Sequence, residues 1–302
     1  MRNLLSNSLS KLAKKNKDIY IVVADISPAG AMDEFQKKNP NRFINVGVAE
    51  QSMISISAGL AMSKKKPFAY TIATFALYRP FEMIRDDLCY QNLPVTVVGM
   101  GAGTIYSTLG ATHLSQEDVS IARSIPNMQV LAPCDPKELE SCIKYCALTS
   151  KKPTYLRIGK AGEKNFSDNA EKWKFGKIRK LLQGKDTCIL SYGPIISMAF
   201  EVKKNNPDLN YSIYSTHTLK PFDFDGLKKI FKKYKKIVTL EDHSCIGGLS
   251  EIVKSFAYTS KFNGKIISFS LKDKFIHCYG DQRDLLKLHH ITVEGILKSI
   301  KK

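Results

Sequence analysis

Residues 43–63 read FINVGVAEQSMISISAGLAMS, a stretch typical of a strand that leads into a helix. The apolar run Phe43–Gly47 predicts a short strand that ends at a glycine. The segment Ser52–Ser63 is almost free of charge and predicts a buried helix. A carboxylate that borders such an element has a raised pKa unless a cation pairs with it. Glu50, at or near the helix start, is therefore a candidate for proton chemistry. A helix-capping glutamate that faces solvent explains the spacing at least as well.

The same alternation of strand and helix continues on both sides of this stretch. Short runs rich in Val and Ile, apolar throughout and separated by helix-length segments, indicate a parallel sheet covered on both faces. One helix is expected after Asp135, with Pro136 at its first position and Glu138 placed for a capping box. The strands expected in this half are Ile19–Ile26, Phe43–Gly47, Phe68–Ile72, Val95–Gly101, Met128–Ala132 and Thr154–Ile158.

The alternation breaks over residues 160–186, where a polar stretch is typical of a linker, and then starts again. Strands are expected at Thr187–Tyr192, Tyr211–Thr216, Ile237–Glu241 and Ile266–Ser270. The fold class is therefore α/β, with two doubly wound domains: a parallel-sheet domain over residues 1–165 and a smaller one over residues 166–302. His217 and His243 follow strands of the second domain but have no nucleophile partner. We expect them to be structural and this domain to support dimerisation.

The chain is strongly basic, with a net charge of +18 over its 302 residues. Lysines outnumber arginines 38 to 8, and they are scattered over surface helices and turns. Arginine is the better residue for bidentate phosphate and base contacts, so the composition does not favour nucleic acid as a partner. A positive field that steers anionic substrates is the remaining functional interpretation. The chain has no apolar run long enough for a membrane span, and its seven cysteines without a CxxC pair fit a reduced cytoplasmic protein.

Two further segments carry candidate side chains. Phe75, Tyr78 and Phe81 are spaced by three, which on one helical turn or loop forms an aromatic platform able to stack a flat ring. Core packing accounts for that spacing as well. A strand then runs into a glycine-rich loop that ends at His113, at the edge where parallel sheets build their sites. His113 can donate a hydrogen bond or carry a proton, although a lone loop histidine is more often structural.

Taken in order, these segments resemble the transketolase family, in its pyrimidine-binding and C-terminal domains, over nearly the whole chain. The matching motifs are ADISP at 24–28, VAEQ at 48–51, TF at 74–75, GATH at 110–113, IPNM at 125–128, LR at 156–157, TLKPFD at 218–223, EDH at 241–243 and GGL at 247–249.

The resemblance implies a thiamine-diphosphate-dependent transferase that moves a two-carbon ketol unit between sugars or sugar phosphates. The glutamate that matches Glu50 hydrogen-bonds N1′ of the aminopyrimidine and favours the imino tautomer that removes the thiazolium C2 proton. The resemblance gives further roles by position: Asp25 near the cofactor at the subunit interface; Phe75, Tyr78 and Phe81 in the pyrimidine pocket; His113 on substrate oxygens; Arg157 on the substrate phosphate.

Three positions depart from the family pattern. Ala29 stands where a phosphate-binding serine is expected, Leu109 where an aspartate is expected, and Gly101 where an active-site histidine is expected. The acceptor pocket is therefore altered, and an unphosphorylated or unusual sugar is one possible substrate. The family's Gly-Asp-Gly…Asn motif for metal and diphosphate is absent from the sequence. We therefore expect a separate N-terminal diphosphate-binding subunit to hold Mg²⁺, in an α2β2 heterotetramer.

Two other reactions use the same cofactor. The chain is alternatively the beta subunit of a 2-oxo acid dehydrogenase, or a relative of 1-deoxyxylulose-5-phosphate synthase. The Thr-His and Leu-Arg contexts favour transketolase, and the difference can be tested by comparing pyruvate with ketoses as substrates.

Overall fold

The computed structural model of the protein describes residues 1–25, 31–168 and 170–301. The first half of the chain alternates helices with six short strands. Its elements are α1 (Arg2–Lys15), β1 (Ile19–Val23), α2 (Ala31–Lys38), β2 (Phe43–Asn45), α3 (Glu50–Met62), β3 (Lys66–Ile72), α4 (Ala73–Leu77), α5 (Phe81–Met83), β4 (Thr96–Met100), α6 (Asp118–Ser124), β5 (Gln129–Leu131), α7 (Pro136–Leu148) and β6 (Thr154–Ile158). A π-helical turn, Ile84–Tyr90, follows α5, and a 3₁₀ turn, Ala111–His113, precedes α6.

These six strands form one parallel sheet in the order β5-β6-β4-β3-β1-β2. Every residue of β4 and β6 is buried. Helices cover both faces, which is why these strands are mostly apolar and do not alternate between apolar and polar residues. The expected parallel α/β sheet is therefore confirmed.

The start of α7 follows the capping pattern expected from sequence. The Asp135 side chain accepts a hydrogen bond from the backbone N–H of Glu138 at 2.8 Å. The Glu138 carboxylate reaches back and accepts from the backbone N–H of Cys134 at 2.9 Å. The first bond satisfies a donor that the helix itself leaves unpaired, and the second fixes the residue before the N-cap, one position earlier than in a standard capping box.

The uncharged helix α3 differs from its prediction. One face packs inward through Met53, Ile54 and Ala58. The opposite face, which carries Ile56 and Met62, is exposed, so the expectation of a fully buried helix is wrong for that face. A lack of charge shows only that a helix face can be buried at low cost. It does not show that residues of this same chain bury it.

The second half forms a five-stranded sheet. Its elements are β7 (Arg179–Leu182), β8 (Thr187–Ser191), α8 (Ser197–Asn205), β9 (Tyr211–Ser215), β10 (Thr218–Lys220), α9 (Phe224–Lys233), β11 (Lys236–Ser244), α10 (Leu249–Thr259), β12 (Lys265–Leu271), α11 (Gln282–Leu288) and α12 (Val293–Lys301). The strand order is β12-β11-β8-β9-β7, parallel except for β7. The two α/β domains expected from the sequence are both present.

One strand of the second half belongs to the first sheet. β10 pairs antiparallel with β5, so the first sheet has seven strands, the seventh of them from the far half of the chain. The halves also share a buried ion pair, in which Arg179 Nη1 lies 3.1 Å from Glu138 Oε1. Ser215 donates to the other oxygen of Glu138 at 2.9 Å. The boundary near residue 165 stays a prediction, because contacts of this kind cross it.

The cysteines are all free thiols, five of them buried. Within the described part of the chain, no helix is both long and apolar enough to cross a membrane.

Candidate active site

The candidate residues lie where strands of the first sheet end. Asp25 follows β1, Glu50 follows β2, Phe75 follows β3, and His113 lies on the loop after β4. Because these strands are parallel neighbours, their carboxyl ends share one edge of the sheet, the usual location of sites in α/β proteins. The fold therefore gathers residues that are far apart in sequence.

Glu50 is the first residue of α3, and only 5% of its side chain is exposed. The N-terminal end of a helix favours a carboxylate. Its Oε1 also accepts a hydrogen bond from Arg79 Nη1 at 2.9 Å. Glu50 is therefore a buried carboxylate with a cation already in place, not a capping group that faces solvent.

Arg79 was not singled out from the sequence, yet it lies at the centre of the cluster. Its guanidinium carbon lies 4.1 Å from the centre of the Phe75 ring, a stacked cation–π contact. Arg79 is four residues after Phe75, a spacing that brings side chains together on a helical turn. That spacing is the signal in the sequence from which the contact could have been predicted.

His113 closes the other side of the cluster. Its ring meets the edge of Phe75 at a centroid distance of 5.1 Å and that of Tyr106 at 6.2 Å. Burial lowers the pKa of His113, and the positive charge of Arg79 lowers it further. The imidazole is therefore neutral near pH 7, with one nitrogen able to donate and the other able to accept.

The three aromatic residues do not form one continuous platform. α4 ends at Leu77 and α5 begins after Pro80, so the helical spacing is interrupted between Phe75 and Phe81. Tyr78 packs against the hydrophobic core, and its hydroxyl donates to Glu117 Oε2 at 2.9 Å. Phe75 is the aromatic residue in contact with Arg79 and His113. The pyrimidine-pocket roles of Tyr78 and Phe81 stay predictions.

Asp25 is exposed, and its backbone N–H donates to the Asn45 side chain at 3.3 Å, which links the ends of β1 and β2. Its predicted place near the cofactor agrees with this edge position and stays a prediction. Ala29, the residue in place of the expected serine, lies outside the described residues.

Two departures from the family pattern have structural counterparts. Gly101 has φ +67°, and a side chain built there would meet the Tyr106 ring. The ring of Tyr106 therefore fills the space beside position 101, and glycine suits both the backbone and the packing. Leu109 is 46% exposed on the same loop.

Arg157 lies near the carboxyl end of β6, but its side chain is buried and already paired. Its side chain is only 3% exposed, and its Nε forms an ion pair with Asp118 at 2.9 Å. Its Nη2 donates to the backbone carbonyl of Asp242 at 2.8 Å. The phosphate-binding role that the resemblance implies would require this pair to open, so the role stays a prediction that the geometry does not favour.

The second half of the chain holds the glycine-rich loop in place. The backbone N–H and the hydroxyl of Thr104 both donate to the Asp242 carboxylate, at distances from 3.0 to 3.1 Å. Gln282 donates to the same carboxylate at 3.0 Å. The second domain thus supports the site loop, beyond its expected part in dimerisation. His217 and His243 are fully buried, as structural histidines are.

Two family models match the chain: the transketolase pyrimidine-binding domain over residues 1–162 and the transketolase C-terminal domain over residues 176–296. The fold and the composition of the sheet edge agree with these matches. The chain therefore belongs to the transketolase family.

Its relatives include proteins that are themselves parts of a larger enzyme. It is 36% identical over 306 residues to a putative transketolase C-terminal section from Methanocaldococcus jannaschii, with 99% of this chain and 95% of the relative aligned. It is 30% identical over 301 residues to one subunit of the apulose-4-phosphate transketolase from Phocaeicola vulgatus, with 99% and 95% aligned.

Two further likenesses bear on assembly and reaction. A solved structure described as a split-gene transketolase in an inactive β4 tetramer matches with a TM-score of 0.88 and 30% identity, covering 99% of this chain and 96% of that one. The chain is also 30% identical over 297 residues to 1-deoxy-D-xylulose-5-phosphate synthase from Clostridium tetani, covering 98% of this chain but 47% of that enzyme.

Proposed function

We propose that this chain is the pyrimidine-binding subunit of a two-chain transketolase that uses thiamine diphosphate to move a two-carbon ketol unit between sugars or sugar phosphates. The observation that carries the proposal is the 5%-exposed carboxylate of Glu50, which Arg79 links to the Phe75 ring that His113 also contacts. Two relatives that align almost end to end are described as a transketolase subunit and as a transketolase C-terminal section, which supports the two-chain assembly.

The residues fit the aminopyrimidine half of the cofactor. Glu50 is a buried acceptor that already holds a flat nitrogen donor, and Phe75 offers a ring face on which such a donor is stacked. A flat heterocycle with a basic ring nitrogen needs these two contacts. Thiamine diphosphate, once bound, supplies the carbon nucleophile and electron sink for cleavage of the bond beside a ketose carbonyl.

This chain's residues then act on protons and orientation. The Glu50 carboxyl holds a proton against N1′ of the pyrimidine, in a pocket that excludes most water. The Phe75 ring sets the plane of the pyrimidine. The neutral imidazole of His113 donates to, or accepts from, a substrate oxygen at the open side of the cluster.

The metal and the diphosphate are assigned to a partner subunit. The Gly-Asp-Gly…Asn motif that the resemblance leads us to expect for this role is absent from the sequence. The exposed uncharged face of α3, the helix that begins at Glu50, is a suitable surface for that partner. The relatives that are subunits of split transketolases support a partner chain, and the arrangement we propose is an α2β2 assembly with Mg²⁺ on that partner.

The acceptor substrate differs from the ordinary pentose phosphates. Tyr106 fills the space at position 101, Leu109 replaces an acid, and Arg157 is committed to Asp118. These changes remove polar groups from the acceptor side of the site. An unphosphorylated or otherwise unusual sugar suits such a pocket better than a common sugar phosphate.

The test is ketol transfer by this chain co-expressed with a diphosphate-binding partner. Activity is expected to require both thiamine diphosphate and Mg²⁺. Glu50→Gln should lower kcat at least about a hundredfold, because general acid–base groups contribute about 10²–10⁴ in rate. Glu82→Gln, a change at an exposed glutamate on α5, is the matched control and should leave kcat unchanged. Full activity in Glu50→Gln would refute the proposal.

The second candidate keeps the cofactor and changes the donor. The match to 1-deoxy-D-xylulose-5-phosphate synthase favours testing pyruvate directly. If the complex consumes pyruvate and not ketoses, the reaction is of the synthase or 2-oxo acid dehydrogenase type. Ketose consumption without pyruvate turnover supports transketolase.

A further inference from the structure

Arg79 makes two contacts at once in the candidate active site. Its Nη1 donates to Glu50 Oε1 at 2.9 Å, and its guanidinium carbon stacks 4.1 Å from the centre of the Phe75 ring. Glu50 and Phe75 are the two side chains to which the proposed function assigns the aminopyrimidine. One arginine therefore uses both of the contacts that the cofactor needs.

The chemistry of the two groups is alike. A guanidinium is flat, delocalised and positively charged, stacks on aromatic faces and donates N–H groups to carboxylates. An aminopyrimidine that carries a proton on its ring nitrogen is also flat and cationic, and it donates to the same kind of acceptor. We propose that the guanidinium of Arg79 occupies the pyrimidine slot, the space between the Glu50 carboxylate and the Phe75 ring, before the cofactor binds. Cofactor binding then displaces the guanidinium from this slot. The inference rests on the proposed function.

Burial explains why such a group is useful. The Glu50 side chain is 5% exposed, and a carboxylate in that position is costly without a partner. Arg79 supplies the partner while the slot lacks the cofactor. It is thus a positioning residue, which holds the Glu50 carboxyl in place for the ring that later takes over the hydrogen bond.

Exposure explains why Arg79 can leave. Its side chain is 48% exposed, so one end of the ion pair is already solvated. The guanidinium can therefore move into water without a large loss of solvation, and the ring nitrogen of the cofactor replaces it as the partner of the buried Glu50 carboxyl. The carboxylate is held by the fold and the arginine is not, so the arginine is the member that moves.

Displacement has a measurable cost in affinity. A ligand that binds only when the slot is open has its apparent Kd raised by the reciprocal of the open fraction. If Arg79 covers the slot nine-tenths of the time, the apparent Kd rises about tenfold. Removal of the guanidinium should therefore tighten cofactor binding, whereas removal of an ordinary binding residue loosens it.

The charge of Arg79 is also felt by His113. Burial lowers the pKa of His113, and the nearby guanidinium lowers it further. Loss of the guanidinium from the slot should raise that pKa toward its ordinary value. The His113 pKa therefore reports where the guanidinium lies, without any catalytic assay.

The experiment compares Arg79→Met with wild type and with a matched control, Arg85→Met. Arg85 is exposed, lies further along the same segment and pairs with Asp86, so its loss removes the same charge outside the slot. Thiamine diphosphate is titrated into each purified two-chain complex, and binding is followed by quenching of protein fluorescence. We expect Arg79→Met to bind about tenfold more tightly. Arg85→Met should match wild type.

A second readout uses the full-length chain alone. The His113 pKa, measured by NMR, should rise in Arg79→Met and stay the same in Arg85→Met. Unchanged or weaker thiamine diphosphate binding by a folded Arg79→Met complex overturns the inference, as does an unchanged His113 pKa. If Arg79→Met does not fold, Arg79→Lys replaces it: it keeps the charge but lacks the flat fork, so it should also bind more tightly, with a smaller gain.

Failure of the proposed function gives a different pattern. In that case the wild-type complex does not bind thiamine diphosphate, or Glu50→Gln binds it as well as wild type does. A third pattern would show that only the inference about Arg79 is wrong. In that pattern the wild-type complex binds thiamine diphosphate, Glu50→Gln loses this binding, and Arg79→Met binds with the same Kd as wild type.

Discussion

The Arg157 guanidinium lies inside the protein, where Asp118 and a backbone carbonyl accept hydrogen bonds from two of its nitrogens. Tyr155 donates to the same Asp118 oxygen at 2.8 Å. Such a network positions the start of α6 relative to β6. An arginine that binds substrate phosphate needs free donors at the surface, and here the donors point into the protein.

A substitution separates the two roles. Arg157→Met should lower the free energy of unfolding by about 3–5 kcal/mol, because it leaves the Asp118 carboxylate buried without its cation. Chemical denaturation of the full chain measures this. Lys151→Met, at an exposed lysine, is the control and should change stability by less than about 0.5 kcal/mol. A stable Arg157→Met protein with weakened phosphate binding would instead support the substrate role.

At this scale the sequence predicted Glu50, Phe75 and His113 as site residues, and the structure places all three after strands whose carboxyl ends share one sheet edge. The sequence did not identify Arg79 or place Arg157. The spacing of Phe75 and Arg79 predicts only that these two side chains can meet, and it does not show which carboxylate an arginine reaches or whether its side chain enters the core. The Tyr106 ring beside position 101 was not predicted for the same reason.

Among the elements, α3 combines an uncharged sequence with an exposed face. Ile56 is 39% and Met62 64% exposed on that face. Small residues, Ser52, Ser55 and Gly59, lie between them and keep the surface smooth. A helix of this kind lets another protein approach its backbone closely. This agrees with a partner surface on the helix that begins at Glu50.

Gly59 allows a test of this helix. No heavy atom outside the helix lies within 4 Å of a methyl group added at Gly59, so Gly59→Ala costs no contact within the chain. The change should stabilise the isolated chain by about 0.5–1 kcal/mol, because glycine loses more backbone entropy than alanine in a helix. Thermal unfolding measures the gain. Gly47→Ala should instead destabilise, since Gly47 has φ +69°; a loss of stability in Gly59→Ala would show that the helix face is already covered.

Elements with a strong periodic signal were predicted closely, and short ones were not. The strand expected at Thr154–Ile158 has those same bounds in the structure. β7 and β10 were missed, because each is a short edge strand whose formation depends on its partner and not on its own sequence. The π-helical turn Ile84–Tyr90 was not predicted either, because its sequence carries no signal that separates it from an ordinary helix.

Across the whole molecule, the two halves are joined by charged and polar groups that are shielded from water. Glu138 and Arg179 pair across the join, and Asp242 accepts hydrogen bonds from the site loop. His217 lies in the same region, just before β10, where its ring stacks on Trp173 at 5.1 Å. The stability of this contact region between the two halves is therefore expected to depend on protonation.

Acid should weaken this join through His217. Burial lowers the pKa of His217, so the folded protein binds its proton less readily than the unfolded chain does. The stability present above about pH 6.5 is then lost as the pH falls toward the lowered folded-state pKa, by up to about 1.4 kcal/mol per pH unit. Unfolding midpoints from pH 8 to pH 5 measure the slope, and His217→Gln should flatten it. His277→Gln, at an exposed histidine, should not; equal slopes for His217→Gln and wild type would contradict the assignment.

The α/β fold class and the presence of two such domains could be predicted from the sequence, because apolar strands that alternate with helices can pack in few other ways. The way the halves share a sheet did not follow, since it depends on a pairing between residues far apart in the chain, Thr218 and Leu131.

That shared strand has a practical consequence for proteolysis. A protease that nicks the segment between β6 and β7 would not set two modules free, because β10 remains hydrogen-bonded to β5 after the backbone is cut. The fragments should migrate together in gel filtration and part only in denaturant. Limited digestion of this protein would therefore underestimate how many pieces it has been cut into.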